Sequence, residues 1–390
     1  MLPLLLKSTS ALVVNGAAPV TPQRAAARMV ASGPPPEPPS VSARVARLQL
    51  PFGVAAGYAL NAVVRQNTRD FPGADVVREA ARRTIVDAPA EAAMERFFPG
   101  SLGSSAVDHQ VWRTLQKKGY TKANTLFATS TCPDEVNSKP DELIDLMKDR
   151  WGENFSLGGL GGVPFTGKAG FAAYAHHVPD KGKMFIMFAP HVGVEYDGKV
   201  GALRRMNQDG TSTACGAAIG AYNGIVKEAT QRRKLGAETG VEELAYGVTD
   251  GVSDYFDAQI NFIKLKLGSR LNGIDDANDP IAYVSYQMYL LVREFFINEV
   301  ITAPGFWDYG DELCVLGGIM VNRGTGGDRL LPLMFQTRTQ AQGSCTDLYS
   351  ETFGAEPDLS AILGSEVATS FYKYDLETFK LSDKRQSILS

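Results

Sequence analysis

Short apolar runs that alternate with helix-patterned segments constrain the fold of this chain most strongly. The run KMFIMFA at 183–189 has the length and the uninterrupted apolar character of a strand that is covered on both faces. Further strands are predicted at 124–129, 312–321 and 329–337. Because helical patterns lie between these runs, we expect an α/β fold with a mostly parallel central sheet flanked by helices.

Apolar residues spaced three and four apart predict helices over most of the remaining chain. They indicate a helical N-terminal part over 43–120, in which Asp108 is predicted to cap a helix. A helix is also predicted over 138–151, where Ser138 precedes a proline, and a long one over 212–233.

The first 42 residues differ in composition from the rest of the chain. They are rich in Ala, Pro and Ser and hold a single acidic residue, Glu37, which is typical of an organelle transit peptide. The stretch GPPPEPP then predicts a stiff linker. We therefore expect a transit peptide and linker over 1–42, a single α/β domain over 43–355, and a C-terminal extension over 356–390 that packs on this domain.

Charge and hydropathy exclude two broad classes of partner. The net charge is −4 and the sequence shows no basic stripe, so we expect no nucleic-acid binding. Since no apolar run reaches the roughly 18 residues of a membrane helix, we expect no membrane span. The four cysteines lie far apart in a chain of 390 residues, which favours reduced thiols over a disulfide framework.

Three residues that can bind a metal follow or begin separate predicted elements. Cys132 follows the strand at 124–129, His191 follows the strand at 183–189, and Cys215 lies near the start of the long helix. Two cysteines and one histidine with an open fourth position form a known catalytic zinc set. The same residues leave two alternatives open, a thiol hydrolase with Cys215 as nucleophile and His191 as base, or buried cysteines without a ligand.

A glycine-rich stretch offers a further alternative. GVPFTGK at 162–168 approximates the phosphate-binding loop of nucleotide hydrolases, but Ala169 stands where that loop needs a hydroxyl group for magnesium. The departure makes a nucleotide-binding function the weaker hypothesis.

Four motifs in series resemble one known family. FATSTCPDEVN, GGLGGVPFTGKAGFAAYAHHVPDKG, APHVGVEYDGKVGALRR and STACGAAIGAYNG resemble the limiting-CO2-inducible B family of algae, the theta-class carbonic anhydrases, from about residue 45 to about residue 350. The resemblance implies a beta-carbonic-anhydrase-like fold and a zinc ion held by Cys132, His191 and Cys215. It also implies a homodimer or a hetero-oligomer with a family relative, in the stroma or pyrenoid region of a chloroplast.

The sequence departs from the beta class at one position that matters for chemistry. That class carries C-x-D-S-R, whereas Val136 occupies the arginine position here. The partner of Asp134 must therefore come from elsewhere, and Arg205 is the predicted residue, with Arg204 and Lys168 as alternatives.

The resemblance also implies roles in a zinc hydroxide mechanism that interconverts CO2 and bicarbonate in a CO2-concentrating mechanism. Asp134 would orient the nucleophile and Arg205 would hold Asp134 off the metal. Phe165 and Val192 are the predicted apolar wall for CO2. The alternative is a zinc-binding, inactive relative that acts as an inorganic-carbon sensor or assembly component.

The proton shuttle is the one role that neither the residues nor the resemblance assigns. His177 and Glu195 are its candidates.

Overall fold

The computed structural model of the protein describes residues 88–205, 208–234, 258–271, 274–297, 310–324, 327–339, 345–364, 367–368 and 371. All of them belong to one compact unit that spans 50–390. The predictions of a transit peptide over 1–42 and of helix over 43–87 lie outside the described residues.

Ten strands occur in the described part of the chain. They are β1 (Leu102–Gly103), β2 (Thr125–Thr131), β3 (Phe155–Ser156), β4 (Gly182–Ala189), β5 (His191–Val194), β6 (Ala202–Arg204), β7 (Thr211–Thr213), β8 (Gly310–Arg323), β9 (Arg329–Thr339) and β10 (Cys345–Asp347). The main sheet has the order β1-β9-β8-β4-β2-β3, β5 continues the line of β4 beside β8, and β10 pairs with β9. Strands β6 and β7 form a separate two-stranded sheet.

The centre of the main sheet is parallel, which confirms the predicted fold class. Strands β3, β2, β4 and β8 pair in parallel, and β5 also runs parallel to β8. The antiparallel part is β9 with its neighbours β8, β1 and β10. A connection as short as 324–328 between β8 and β9 can form only an antiparallel hairpin.

The helices of the described residues cover this sheet. They are α1 (Ala88–Phe97), α2 (Ser104–Lys117), α3 (Leu143–Trp151), α4 (Gly167–His176), α5 (Gly216–Lys234), α6 (Ala258–Gly268), α7 (Pro280–Phe295), α8 (Tyr349–Phe353) and α9 (Ser360–Leu363). Short 3-10 turns occur at Glu135–Ser138, Leu160–Gly162 and Ile274–Asp276.

Three predicted helix starts are wrong. The helix predicted from 212 is α5, which begins at Gly216, because Thr211–Thr213 forms β7. Helix α2 begins at Ser104, so Asp108 lies inside it, where its buried carboxylate accepts a hydrogen bond of 3.1 Å from Arg150 Nε. Helix α3 begins at Leu143 rather than near Ser138, because the preceding residues form the 3-10 turn Glu135–Ser138. Contacts with distant parts of the chain outweigh the local capping signals of α2 and α3, since Asp108 accepts from Arg150 and Lys139 donates to Asp328.

Alternation along the central strands divides the core between the two faces of the sheet. Phe127 and Phe185 are register partners and point to the face covered by α2 and α3. Their neighbours Ala128 and Ile186 point to the opposite face, which α7 covers. Both faces are therefore buried, which explains why the strands are apolar throughout.

The described C-terminal residues contact the core. Ile362, Leu363 and Phe371 are buried, and the ring of Phe371 stacks on Tyr289 of α7 at a centroid distance of 5.5 Å. The domain boundaries at 43 and 355 stay predictions. Within the part of the chain that the structure describes, no helix has both the length and the apolar character needed to cross a membrane.

Candidate metal centre

The three predicted metal ligands converge in the fold. The Sγ atoms of Cys132 and Cys215 and a ring nitrogen of His191 all lie within 4.8 Å of one another, and all three residues are buried. The two Sγ atoms are 3.8 Å apart. Elements that are separated in sequence thus bring a Cys2His set to one point.

Two of these residues reach the same point because their strands are parallel neighbours. Thr131, the last residue of β2, pairs with Ala189, the last residue of β4. Cys132 follows Thr131 directly, and His191 follows Ala189 after Pro190. The carboxyl ends of parallel strands share one edge of a sheet, which is where α/β proteins place their sites.

Cys215 also lies at this edge, because Gly193 of β5 leaves room for the segment that precedes Cys215. Gly193 N donates to Ala214 O at 2.7 Å, directly before Cys215. A Cβ atom at position 193 would lie 2.7 Å from Ala202 O, closer than real Cβ atoms approach. A side chain there would therefore push Cys215 away from His191.

The glycine-rich loop packs behind the strand ends that carry the other two ligands. A Cβ atom on Gly158 would lie 2.2 Å from Thr131 O, and one on Gly162 would lie 3.2 Å from Pro190. Ser130 Oγ also donates to Gly162 O at 2.9 Å. The loop thus fixes the backbone immediately before Cys132 and His191 and does not resemble a phosphate cradle.

The orientation of His191 follows from its neighbour Asn322. Asn322 Nδ2 donates to Asp328 Oδ2 at 3.1 Å and to Val136 O at 3.3 Å, so its oxygen is the atom that faces the imidazole. This Oδ1 lies 2.7 Å from His191 Nδ1, which must then carry the proton. The buried Nε2 has no hydrogen-bond partner among the described residues, and its lone pair is free for a metal.

The two thiols form an asymmetric pair. The hydrogen bond with Cys132 lowers the pKa of Cys215 against the opposing effect of burial, and the backbone N–H groups of Ala217 and Ala218 at the start of α5 add to the lowering. The same hydrogen bond and burial raise the pKa of Cys132. A second thiolate therefore needs added positive charge, which a divalent cation supplies.

The spacing of the ligand atoms fits zinc. Two thiolates bound at about 2.3 Å to one tetrahedral zinc ion are about 3.8 Å apart. That is the separation between the Cys132 and Cys215 sulfur atoms. Two soft thiols with one imidazole nitrogen are also a donor set that zinc prefers.

No fourth ligand joins this set among the described residues, and a carboxylate lies beside the side that is left open. Asp134 Oδ2 lies 3.8 Å from His191 Nε2. Arg205 donates to both carboxylate oxygens, from Nη1 to Oδ1 at 2.7 Å and from Nη2 to Oδ2 at 2.9 Å. The predicted pairing of Asp134 with Arg205 is therefore present, and it has the bidentate form that holds a carboxylate in a fixed plane.

The guanidinium of Arg205 is itself anchored. Its Nε donates to Ser212 Oγ at 2.7 Å, its Nη2 also donates to Thr213 O at 3.1 Å, and its Nη1 also pairs with Glu135. These contacts span the strand pair β6–β7, so the position of Arg205 depends on that hairpin. The neighbouring Arg204 instead places its guanidinium over the ring of Tyr196.

The ion pair changes the protonation of Asp134. Burial opposes its ionisation, but the hydrogen bond from Arg205 and those of its other neighbours outweigh burial and lower the pKa of Asp134 to about 2. An ionised carboxylate only accepts hydrogen bonds, so Asp134 presents an acceptor to the open side of the ligand set.

The remaining candidate residues have other neighbours. Val192 is buried in the core, on the opposite side of β5 from His191, because successive strand residues point to opposite faces. Phe165 packs edge-on against Phe262 at 5.5 Å. Their role as a CO2 wall stays a prediction, as do the shuttle roles of exposed His177 and of Glu195, which is buried and accepts from the backbone of Tyr196.

Sequence reasoning did not find Asn322, Asp328, Ser212 or Glu135. Asn322 lies near the carboxyl end of β8, directly after an apolar run, and this position was the available signal. Ser212 had no comparable signal, because its contact with Arg205 depends on the pairing of β6 with β7.

Fold and site together define an α/β protein with a Cys2His metal-binding set at the carboxyl edge of a mostly parallel sheet. The chain belongs to the family of limiting CO2-inducible proteins B/C beta carbonic anhydrases, whose sequence profile matches residues 101–339. None of the curated proteins compared with the chain matches it.

Solved structures support this family membership. The chain is similar to the crystal structure of PtLCIB4, a homolog of the limiting CO2-inducible protein LCIB, with 27% identity and a TM-score of 0.56. The similarity covers 66% of this chain and 98% of that chain. Two point mutants of the same homolog, at 26% identity over the same shares of each chain, give TM-scores of 0.56 and 0.51.

Proposed function

We propose that this protein is a zinc-dependent carbonic anhydrase that interconverts CO2 and bicarbonate. The observation that carries the proposal is the Cys2His set with Asp134 beside its open side, held there by Arg205. A structural zinc site takes four protein ligands, whereas a catalytic site has three and leaves one position for water. Membership of a carbonic-anhydrase-related family supports the same reaction.

Cys132, His191 and Cys215 would hold the zinc ion. A bound zinc ion supplies the acidity that lets water act as a nucleophile near neutral pH, lowering its pKa to about 7. Two thiolates donate more negative charge than imidazoles do, and the guanidinium of Arg205 is already paired with Asp134 and Glu135. We therefore expect the zinc ion to acidify water less here than at a site of three imidazoles.

Asp134 would orient the attacking oxygen. Because its carboxylate is ionised and lies 3.8 Å from His191 Nε2, it can accept a hydrogen bond from water at the open side of the ligand set. Once one proton of this water has passed to the solvent, the remaining hydrogen bond would leave a lone pair of the oxygen free to attack the carbon of CO2, and the product would be bicarbonate. Positioning of this kind lowers the activation barrier because the reactants need not find their orientation by chance.

Arg205 would keep Asp134 available for this task. A carboxylate two residues from a ligand cysteine can itself bind the metal and close the fourth position. The bidentate pair occupies both carboxylate oxygens and so restrains Asp134.

Zinc content and CO2 hydration of the purified full-length chain test the proposal together. We expect close to one zinc ion per chain and stopped-flow hydration clearly above the buffer rate. Stoichiometric zinc without hydration would refute the enzyme and favour the inactive relative that acts as a sensor or assembly component. Absence of zinc would refute both.

We further propose a plastid location, in the stroma or pyrenoid region, and a homodimer or a hetero-oligomer with a relative. The composition of 1–42 supports the first proposal, and the family relationship supports the second. A fluorescent fusion should lose plastid targeting when 1–42 is removed, and light scattering should give a mass above one chain. A variant that still reaches the plastid, or a strictly monomeric chain, would refute the respective proposal.

A further inference from the structure

We propose that Asn322 is a positioning residue for the metal centre. Its side-chain amide fixes the tautomer and the ring orientation of His191 and ties this ring to the 3-10 turn Glu135–Ser138, which Asp134 precedes. The inference rests on the proposed function for its relevance to catalysis. Its direct consequence, the position of one proton on His191, can be measured without an assay of CO2 hydration.

The amide of Asn322 can adopt a single orientation. Its nitrogen faces two acceptors, the carboxylate of Asp328 at 3.1 Å and the backbone oxygen of Val136 at 3.3 Å. Turning the amide over would place its oxygen against both of them and its nitrogen against His191 Nδ1. The present orientation makes three favourable contacts at once, and Asn322 is completely buried, so water cannot replace any of them.

Asp328 is fixed in turn by a buried network. Its Oδ1 accepts from Lys139 Nζ at 2.9 Å and from the backbone N–H of Arg323 at 2.9 Å. The backbone N–H of Asp328 donates to Glu142 at 3.0 Å. The carboxylate that orients Asn322 is therefore held by contacts from both the hairpin β8–β9 and the segment that leads into α3.

This network has a consequence for the metal ligands. With the proton of His191 on Nδ1, the buried Nε2 carries the free lone pair that metal binding requires. The contact of Asn322 with Val136 O also joins the ring to the turn that follows Cys132 and Asp134. Partners of this kind behind a ligand commonly change metal affinity by about 10- to 100-fold when they are removed.

Three variants of the full-length chain test the proposal. Asn322→Leu removes the amide at similar volume. The double variant Asn322→Asp/Asp328→Asn exchanges carboxylate and amide, so that an oxygen still faces Nδ1 and the net charge is unchanged, while the hydrogen bond to Val136 O is lost. Ser285→Ala is the control, because it removes a hydrogen bond of 2.8 Å from a largely buried hydroxyl of α7 that belongs to another part of the core.

Two measurements are made on each protein. Nitrogen-15 NMR of the imidazole rings in zinc-free protein gives the tautomer of His191, which is buried while the other three histidines of the chain are exposed. Competition with a chromophoric chelator gives zinc affinity. We expect the Nδ1–H tautomer in the wild type. Asn322→Leu should lose this tautomer and bind zinc about 10- to 100-fold more weakly. The double variant should recover the tautomer, and Ser285→Ala should change neither property.

An Nε2–H tautomer in the wild type would overturn the proposal. So would an Asn322→Leu variant that keeps both the tautomer and the zinc affinity of the wild type. If Asn322→Leu does not fold, the wild-type tautomer and the double variant still decide. A chain with the expected tautomer and zinc affinity but without CO2 hydration would leave this inference standing and remove the proposed enzyme function alone.

Discussion

Arg205→Leu should separate metal binding from CO2 hydration. The substitution removes both hydrogen bonds to Asp134, at 2.7 and 2.9 Å, and leaves the Cys2His set intact. The carboxylate then lies 3.8 Å from His191 Nε2 without its restraint. It becomes free to turn toward the metal and occupy the position that water needs.

The size of the effect follows from the two lost contacts. Hydrogen bonds between charged groups contribute about 1.5 kcal/mol each at the lower end of their range, so about 3 kcal/mol holds Asp134 in place. If this energy is lost from the productive arrangement, the hydration rate falls by about 100-fold. Zinc content should stay near one ion per chain.

The assay combines zinc analysis with stopped-flow hydration of CO2 and uses two comparisons. Arg204→Leu is the matched control, because it removes the same side chain one position earlier, where the guanidinium lies over Tyr196. It should keep activity within a few-fold of the wild type. Arg205→Lys retains one positive charge without the bidentate geometry, so we expect intermediate activity.

Two results would refute the reasoning about Arg205. Full activity in Arg205→Leu would show that Asp134 does not need its partner. Loss of zinc in the same variant would show that Arg205 supports the ligand set itself rather than the open position.

Three further substitutions test other parts of the site and of the fold. Asp134→Ala should retain zinc and lose at least about 100-fold in hydration, as expected for a group that acts on the reacting oxygen; an active variant would contradict its orienting role. Cys215→Ser should lose most of its zinc at neutral pH because a serine hydroxyl does not replace a thiolate, and tight retention would remove Cys215 from the ligand set. Glu91→Ala should lower the free energy of unfolding, measured by urea denaturation, by about 3 kcal/mol or more, because the buried Glu91 lies 2.7 Å from both Arg323 and Arg329. An unchanged midpoint of urea unfolding would contradict this estimate.

The central strands and the positions of the three ligands could be predicted because both depend on local sequence. An apolar run such as 183–189 can be buried on both faces only as an inner strand, and a residue directly after it must lie at the sheet edge. Cys132 and His191 follow such runs. The sequence around Cys215 predicts the start of a helix, and in the structure this residue directly precedes α5.

The contacts that complete the site depend on pairing between distant segments and could not be predicted in the same way. Resemblance to a family is what indicates Arg205, since nothing in its spacing from Asp134 predicts contact. Asn322 meets His191 because β5 runs parallel to β8 in one particular register. A shift of that register by one residue would turn the amide to the other face of the sheet.

Oxygen-18 exchange between labelled CO2 and water tests the proposed function most directly, because it detects catalysis at chemical equilibrium and in either direction. The measurement compares the zinc-loaded full-length chain with the same protein after zinc removal and with Asp134→Ala. Label should leave CO2 faster than in buffer only with the zinc-loaded wild-type chain. A wild-type chain that holds one zinc ion and exchanges label at the uncatalysed rate would contradict the proposal that this Cys2His site is a carbonic anhydrase centre.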